Sequence, residues 1–178
     1  MKVLALIFEG FEELEAMAPF ALLRRAKIDL TIASNSTTVT GSHNISLTNI
    51  VKLSDIDYKE YDALIIPGGA HYKFLRISKD VHEIISYFIE AKKLVAVICA
   101  APTILGMLGY LKGKNYTCFT SMNEDFGGYY HDQGVVVDGN IISGRSVAYA
   151  IDFAYEIIRY LIGDEGLKQV QKQIYYEK

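Results

Sequence analysis

The sequence has few of the residues that mark unusual protein classes: no tryptophan, two cysteines and three prolines among 178 residues. Two cysteines are too few for a disulfide framework, which fits a reducing compartment and predicts a cytoplasmic location. The 18 basic and 21 acidic residues nearly balance, and no block concentrates lysine or arginine, so no nucleic-acid partner is expected. No apolar run approaches the roughly 18 residues of a membrane span, so no membrane partner is expected either.

Short apolar runs alternate with helical patterns along the whole chain. The first run is too short for the core of a signal peptide and lacks a small-residue cleavage site, so we interpret it as a first strand. Continuous apolar runs separated by helices are typical of a parallel sheet that is covered on both faces. We therefore predict one α/β domain over residues 1–178, with core strands at Val3–Phe8, Ile28–Ala33, Ala63–Ile66 and Leu94–Ile98.

The remaining elements are predicted from periodicity and turn residues. Residues 37–54 alternate apolar and polar side chains around a glycine, which favours a β-excursion with one wet face. The Asp-Gly-Asn turn at residues 138–140 predicts a hairpin, and Pro19 predicts a kink or a later start in the first helix. Further strands are expected at Tyr116–Phe119, Val135–Val137 and Ile141–Ser143, and helices at Glu12–Ala26, Val81–Ala91, Thr103–Leu108 and Val147–Ile162, with a short helix after the last.

The segments after the core strands are the first places to search for a site, because open parallel sheets bind ligands beyond the carboxyl ends of their strands. Cys99 directly follows a predicted strand, and Pro102 suits the first turn of the next helix. Unpaired amides and the positive end of a helix dipole favour a thiolate there. The alternative is an inert, packed thiol, which is the interpretation we give to Cys118 in its predicted strand.

Two other strand ends carry candidate residues. Gly68 and Gly69 follow a core strand, and their amides could bind an anion or an oxyanion, although the dipeptide alone favours an ordinary turn that ends the strand. Glu15 lies one turn into the first helix, where it is either exposed or directed into the domain. A buried Glu15 would stay protonated at neutral pH, because desolvation raises a carboxyl pKa, and could donate a hydrogen bond to a thiolate.

The four histidines offer no pair with metal-ligand spacing, so neither a metal site nor a cofactor is predicted. His131 lies in the loop GGYYHDQG and could act as a base for Cys99. A solvated loop histidine is the alternative.

Together the motifs EGFEELEA, DALIIPGGA and VAVICAAPT resemble the ThiJ/PfpI superfamily, and within it the branch of the Parkinsonism-associated deglycase and bacterial YajL. The resemblance covers nearly the whole chain and implies a flavodoxin-like three-layer sandwich and a homodimer. It implies that Cys99 is the reactive cysteine, that Glu15 is the buried glutamate beside it, and that the Gly69 and Ala100 amides form an anion pocket. Ala100 stands where the peptidases of the superfamily carry histidine, and the site's third residue is open.

The resemblance further implies three functions that need the same activated cysteine. In the first, a Cys99 thiolate attacks a small reactive aldehyde such as methylglyoxal, or a glycated substrate, in a glyoxalase or deglycase reaction that needs no cofactor. In the second, oxidation of Cys99 makes the protein a redox sensor or a redox-regulated chaperone under oxidative stress. The third is an intracellular amidase or peptidase, for which only His131 offers a base.

Overall fold

The computed structural model describes residues 1–176. They form a seven-stranded sheet in the order β10-β11-β7-β6-β1-β2-β5, in which all neighbours are parallel except β10 and β11. The strands are β1 (Lys2–Leu6), β2 (Asp29–Ser34), β3 (Thr38–Thr40), β4 (Ser46–Thr48), β5 (Val51–Lys52), β6 (Ala63–Ile66), β7 (Leu94–Ile98), β8 (Asn115–Tyr116), β9 (Tyr129–Tyr130), β10 (Val135–Asp138) and β11 (Ile141–Gly144). The helices are α1 (Glu13–Arg25), α2 (Tyr72–Leu75), α3 (Lys79–Glu90), α4 (Pro102–Met107) and α5 (Ala150–Gln173).

Alternate side chains of the central strands enter two separate apolar layers, one on each face of the sheet. On one face, Val3 and Ala5 of β1 pack in a cluster with residues of α1 and α5. On the other, Leu4 and Leu6 pack in a cluster with residues of α3 and α4. This confirms the predicted α/β class and the flavodoxin-like three-layer sandwich, with a mostly parallel sheet between helices.

The predicted core strands and the 138–140 hairpin are present within two residues of their expected ends. The predicted β-excursion is the hairpin β3–β4, with Gly41 in its turn, followed by the edge strand β5. Helix α1 begins at Glu13 and continues through Pro19, so the expected late start is wrong. The helix can begin there because Glu12 caps it, accepting the Glu15 backbone N–H at 2.7 Å.

Other boundaries differ because tertiary pairing, rather than local pattern, sets them. The predicted strand Tyr116–Phe119 is only β8, which pairs with β9. Cys118 therefore lies in an irregular segment, although it is fully buried as expected. A turn at Val147–Tyr149 precedes α5, and Gly163, with a φ of 76°, interrupts α5 and separates the predicted last helix from the short one after it.

Two further predictions concern the extent of the domain and the absence of a membrane-spanning helix. The predicted domain extends to residues 177 and 178, which lie outside the described residues. Among residues 1–176, no helix combines the length and the apolar character needed to cross a membrane.

Candidate functional site

Cys99 lies at a sharp turn between β7 and α4, directly after the last strand residue. Its φ is +64°, a left-handed conformation that costs a non-glycine residue free energy and is concentrated at functional sites. The turn is held on both sides: the Cys99 N–H donates to the Gly144 carbonyl at 2.9 Å, and the Cys99 carbonyl accepts the Phe119 N–H at 2.8 Å. Pro102 occupies the first turn of α4, as the sequence predicts.

Glu15 lies in the first turn of α1 and points into the domain, with 1% of its surface exposed. Its Oε2 accepts the Gly68 N–H at 2.8 Å, and its carboxyl is hydrogen-bonded to the Cys99 side chain. Burial raises the pKa of Glu15 to about 7. Burial therefore favours the protonated carboxyl well above the pH at which an exposed glutamate ionises, in the direction that the sequence predicts for a buried Glu15.

Gly68 and Gly69, which follow β6, have different roles in the site. The Gly68 amide is engaged by Glu15, so it is not available to the predicted anion pocket. A Cβ on Gly68 would lie 2.5 Å from Glu15 Oε2 and 2.6 Å from Cys99 Cβ, so the close approach of the two side chains requires glycine. Gly69 has a φ of +100°, and its amide is directed at Cys99, as is the amide of Ala100.

The electrostatics of the pair differ from the sequence-based expectation of a simply lowered thiol pKa. Burial, and the negative charge of Glu15 when it is ionised, raise the pKa of the Cys99 thiol, while the amides of Ala100 and Gly69 act to lower it. The repulsion is absent whenever Glu15 holds the proton. The pair can therefore exist as a thiolate that accepts a hydrogen bond from a neutral carboxylic acid, one proton transfer away from the thiol and carboxylate.

His71 joins two strand ends beneath the site, a role that the sequence gave no reason to expect. It is 1% exposed, accepts the Phe8 N–H on Nδ1 at 3.3 Å, and lies 2.7 Å from the Pro67 carbonyl through Nε2. Burial lowers its pKa to about 4, so the ring is neutral and donates to that carbonyl. It positions the backbone that precedes Gly68 and Gly69. Nothing in the local sequence separates such a histidine from a solvated one.

His131 is not hydrogen-bonded to Cys99 in the part of the chain that the structure describes. Its Nε2 lies 2.7 Å from Asn115 Oδ1, and its N–H donates to the Tyr116 carbonyl, so it belongs to the β8–β9 pair. No hydrogen bond among residues 1–176 connects it to Cys99 or Glu15. Its role as a base stays a prediction without a geometric argument.

The sequence gave no metal-ligand spacing, but the structure brings three possible ligands together near the start of α1. Glu12, Glu13 and His43 place ligand atoms within 4.8 Å of one another. Their oxygens already serve the backbone: Glu12 caps α1, and Glu13 accepts the His43 and Ile45 N–H groups at 2.7 and 3.3 Å. We assign the cluster to holding the β3–β4 hairpin on α1.

Comparison with known proteins identifies the family. The model of the DJ-1/PfpI family matches residues 1–160. The chain is 32% identical to a deglycase of Thermococcus kodakarensis and 32% identical to Deglycase PfpI of Pyrococcus furiosus, each match covering 90% of this chain and 99% of the relative. The crystal structure of Drosophila melanogaster DJ-1beta superimposes with a TM-score of 0.92 at 30% identity and covers all of both chains. The chain belongs to the DJ-1/PfpI family.

Proposed function

We propose that the protein is a cofactor-independent deglycase or glyoxalase that uses Cys99 to act on small reactive aldehydes such as methylglyoxal. The observation that supports it best is the hydrogen-bonded pair of Cys99 and the buried Glu15, with the Gly69 and Ala100 amides directed at the sulfur. The family relatives named as deglycases point to the same class of substrate, reactive carbonyls and the glycated groups that they form.

The proposed reaction begins with the Cys99 thiolate and regenerates it at the end. The Cys99 sulfur attacks the aldehyde carbon, a C–S bond forms, and the carbonyl oxygen takes the proton of Glu15 to give a hemithioacetal. Glu15, now ionised, removes the proton from that carbon, which gives an enediolate. The former ketone carbon and its oxygen are then protonated, and the hydroxyl on the sulfur-bearing carbon loses its proton, which yields the thioester of lactate. Water hydrolyses the thioester and releases lactate, a proton and the Cys99 thiolate. The aldehyde carbon is oxidised and the ketone carbon reduced, so no external oxidant is needed.

The two amides supply the electrostatic part of the proposed mechanism. As the aldehyde oxygen gains charge, the N–H groups of Gly69 and Ala100 are placed to stabilise it, in the same way that they face the sulfur in the free protein. The hydrogen bonds of the turn at Cys99 position the Ala100 donor, and the bridge between Phe11 and Gly69 positions the loop that carries the Gly69 donor, so both are in place before the reaction.

Turnover of methylglyoxal by the purified protein tests this proposal. We expect lactate to accumulate with saturable kinetics and without added glutathione, metal or nucleotide. A Cys118→Ser variant should keep at least about a third of the rate, since Cys118 packs in the apolar cluster on the opposite face of the sheet from the one that Cys99 packs against. Absence of lactate and of any loss of methylglyoxal would contradict the glyoxalase reaction.

A second function, redox sensing or redox-regulated chaperone activity through Cys99, is supported by the same pocket. Cys99 is partly exposed, whereas Cys118 is fully buried. The amides and the acid that face the Cys99 sulfur are donors that could hold sulfinate oxygens. One of the related solved structures is described as oxidised Toxoplasma gondii DJ-1.

Limited peroxide followed by peptide mass spectrometry is expected to place sulfinate on Cys99 and to leave Cys118 reduced. The reason is that an oxidant must reach the sulfur: Cys99 is partly exposed and is faced by hydrogen-bond donors that stabilise an anionic sulfur, whereas Cys118 is fully buried. Oxidation of Cys118 before Cys99 would contradict this assignment. Retained turnover after stoichiometric oxidation of Cys99 would contradict the enzymatic proposal instead.

No observation favours the amidase or peptidase reading. Within residues 1–176 no histidine is hydrogen-bonded to Cys99, and the candidate base His131 is paired with Asn115. The cytoplasmic location, predicted from the cysteine content, and the homodimer, implied by the resemblance, stay predictions.

A further inference from the structure

A groove with a volume of about 560 Å³ lies beside the Cys99 turn, at the carboxyl ends of β7 and β11. Both of its walls are tied to the main chain of Cys99. One wall begins at Phe119, whose N–H donates to the Cys99 carbonyl, and the other follows Gly144, whose carbonyl accepts the Cys99 N–H. The groove is therefore fixed relative to the sulfur, in the region where open α/β sheets bind ligands.

The lining of the groove is mostly apolar with one cationic group. Phe119 and Tyr149 contribute aromatic surface, Ser121 and Ser146 contribute hydroxyl groups, and Arg145 contributes a guanidinium. Phe119 is 43% exposed, so its ring presents apolar surface to the groove. An apolar groove with few polar groups is the usual form of a small-molecule site.

Arg145 is only partly committed to the protein. Its Nε donates to Thr120 Oγ1 at 3.0 Å, and its Nη2 pairs with Asp132 Oδ1 at 2.9 Å. A guanidinium carries five N–H donors, and no hydrogen bond among residues 1–176 uses the two on Nη1. The Asp132 side chain is 64% exposed, and such ion pairs contribute little free energy, so a second carboxylate can bind or replace it.

We propose that this groove receives the part of the substrate beyond the reacting carbonyl, and that Arg145 selects α-oxoaldehydes that carry a carboxylate. This inference rests on the proposed function of Cys99. The carbon chain of such a substrate lies along Phe119 and Tyr149, and its acid group forms a charge-assisted pair with the guanidinium. The reaction at the aldehyde is the one already described. For 4,5-dioxopentanoate, addition of one water gives 2-hydroxyglutarate with no external oxidant.

Two substrates of equal chain length separate charge recognition from reactivity: 4,5-dioxopentanoate and the neutral 2-oxopentanal. We expect Arg145→Gln to raise the KM for the acid about tenfold or more and to leave the KM for the neutral compound within about twofold, since losing one charge-assisted pair changes affinity on that scale. Arg25→Gln, which removes an exposed arginine from α1, is the matched control and should change neither. An equal effect of Arg145→Gln on both substrates, or on neither, overturns the proposal.

An Asp132→Asn variant tests the same idea in the opposite direction. It removes the carboxylate that competes for Arg145 and keeps a side chain of the same size. We expect the KM for 4,5-dioxopentanoate to fall severalfold while the value for 2-oxopentanal is unchanged. A KM for the acid that rises or stays the same overturns the proposal, because Arg145 would then serve only to hold the loop at residue 132.

Binding of the product keeps this test independent of turnover. Titration of 2-hydroxyglutarate into the wild-type protein, followed by NMR, should shift amide signals of residues 119–121 and 145–149. The dissociation constant should rise about tenfold in Arg145→Gln. If neither oxoaldehyde is converted, the proposed function fails while this titration still decides the site. Equal binding by the two proteins, or shifts elsewhere only, overturns the assignment of Arg145.

Discussion

A Cys99→Ser variant is expected to convert methylglyoxal to lactate at least about 10³-fold more slowly than the wild-type protein. Serine keeps the size and the hydrogen bonds of the turn, but a hydroxyl does not ionise at neutral pH in this pocket. The loss should therefore appear in kcat rather than as unfolding. Lactate formation measured beside a thermal melt separates the two effects.

The matched control for Cys99→Ser is the same substitution at the other cysteine. Cys118→Ser introduces a hydroxyl at a fully buried position and should reduce thermal stability more than it reduces turnover. A Cys99→Ser variant that retained more than a few per cent of the rate would remove Cys99 from the mechanism. The activity would then have to be assigned to another group or to a contaminant.

The sequence predicted that Cys99 lies at a strand-to-helix turn, because the neighbouring residues alone determine that turn. A buried strand, two small residues and a proline suitable for a helix start specify a strand-to-helix turn at that residue. The core strands were predictable for the same reason, since continuous apolar runs have few other structures in a chain of this composition. The residue at which each strand ends was harder to predict, because backbone pairing with the neighbouring strand determines it.

The residues around Cys99 are brought together by contacts between distant parts of the chain, and the sequence predicted only some of these contacts. Glu15 comes from 84 positions earlier in the chain, and local sequence alone favoured an exposed side chain; only the resemblance placed it beside the cysteine. The structure buries it because Gly68 leaves room for its carboxyl. His71 and Arg145 gave no local signal at all. The roles of His71 and Arg145 depend on which strand ends lie next to each other in the sheet.

Glu15→Leu is expected to reduce methylglyoxal turnover by about 10²-fold to 10⁴-fold, the range that a general acid and base contributes. Glu15→Gln should lose nearly as much, because it keeps a hydrogen-bond donor but has no transferable proton. Glu13→Gln is the matched control. Glu13 is also a buried carboxyl in the first turn of α1, but it serves the β3–β4 hairpin, and its replacement should leave turnover within a few-fold.

Thiolate absorbance in the ultraviolet reports how Glu15 acts on Cys99, with Cys118→Ser as the background. If Glu15 donates its proton toward the sulfur, the thiolate signal at pH 7 should decrease in the order wild type, Glu15→Gln, Glu15→Leu. If the signal instead increases when Glu15 is removed, the carboxylate only repels the thiolate, and the proposed proton transfer from Glu15 is wrong. Because the two groups share a proton, each titration belongs to the pair.

The pH dependence of stability gives a last and separate measure of the buried carboxyl. An unfolded glutamate has a pKa of 4.5, and burial raises that of folded Glu15 to about 7. The folded state therefore binds the proton more tightly, so the stability that protonated Glu15 contributes is complete below about pH 4.5 and is lost as the pH rises through about 7. The amide of Glu15→Gln does not titrate. Its free energy of unfolding, measured with urea, should fall less than that of the wild type between pH 4.5 and pH 8. Parallel profiles would mean that the carboxyl ionises without cost in the fold, and Glu15 would then hold no proton to deliver at neutral pH.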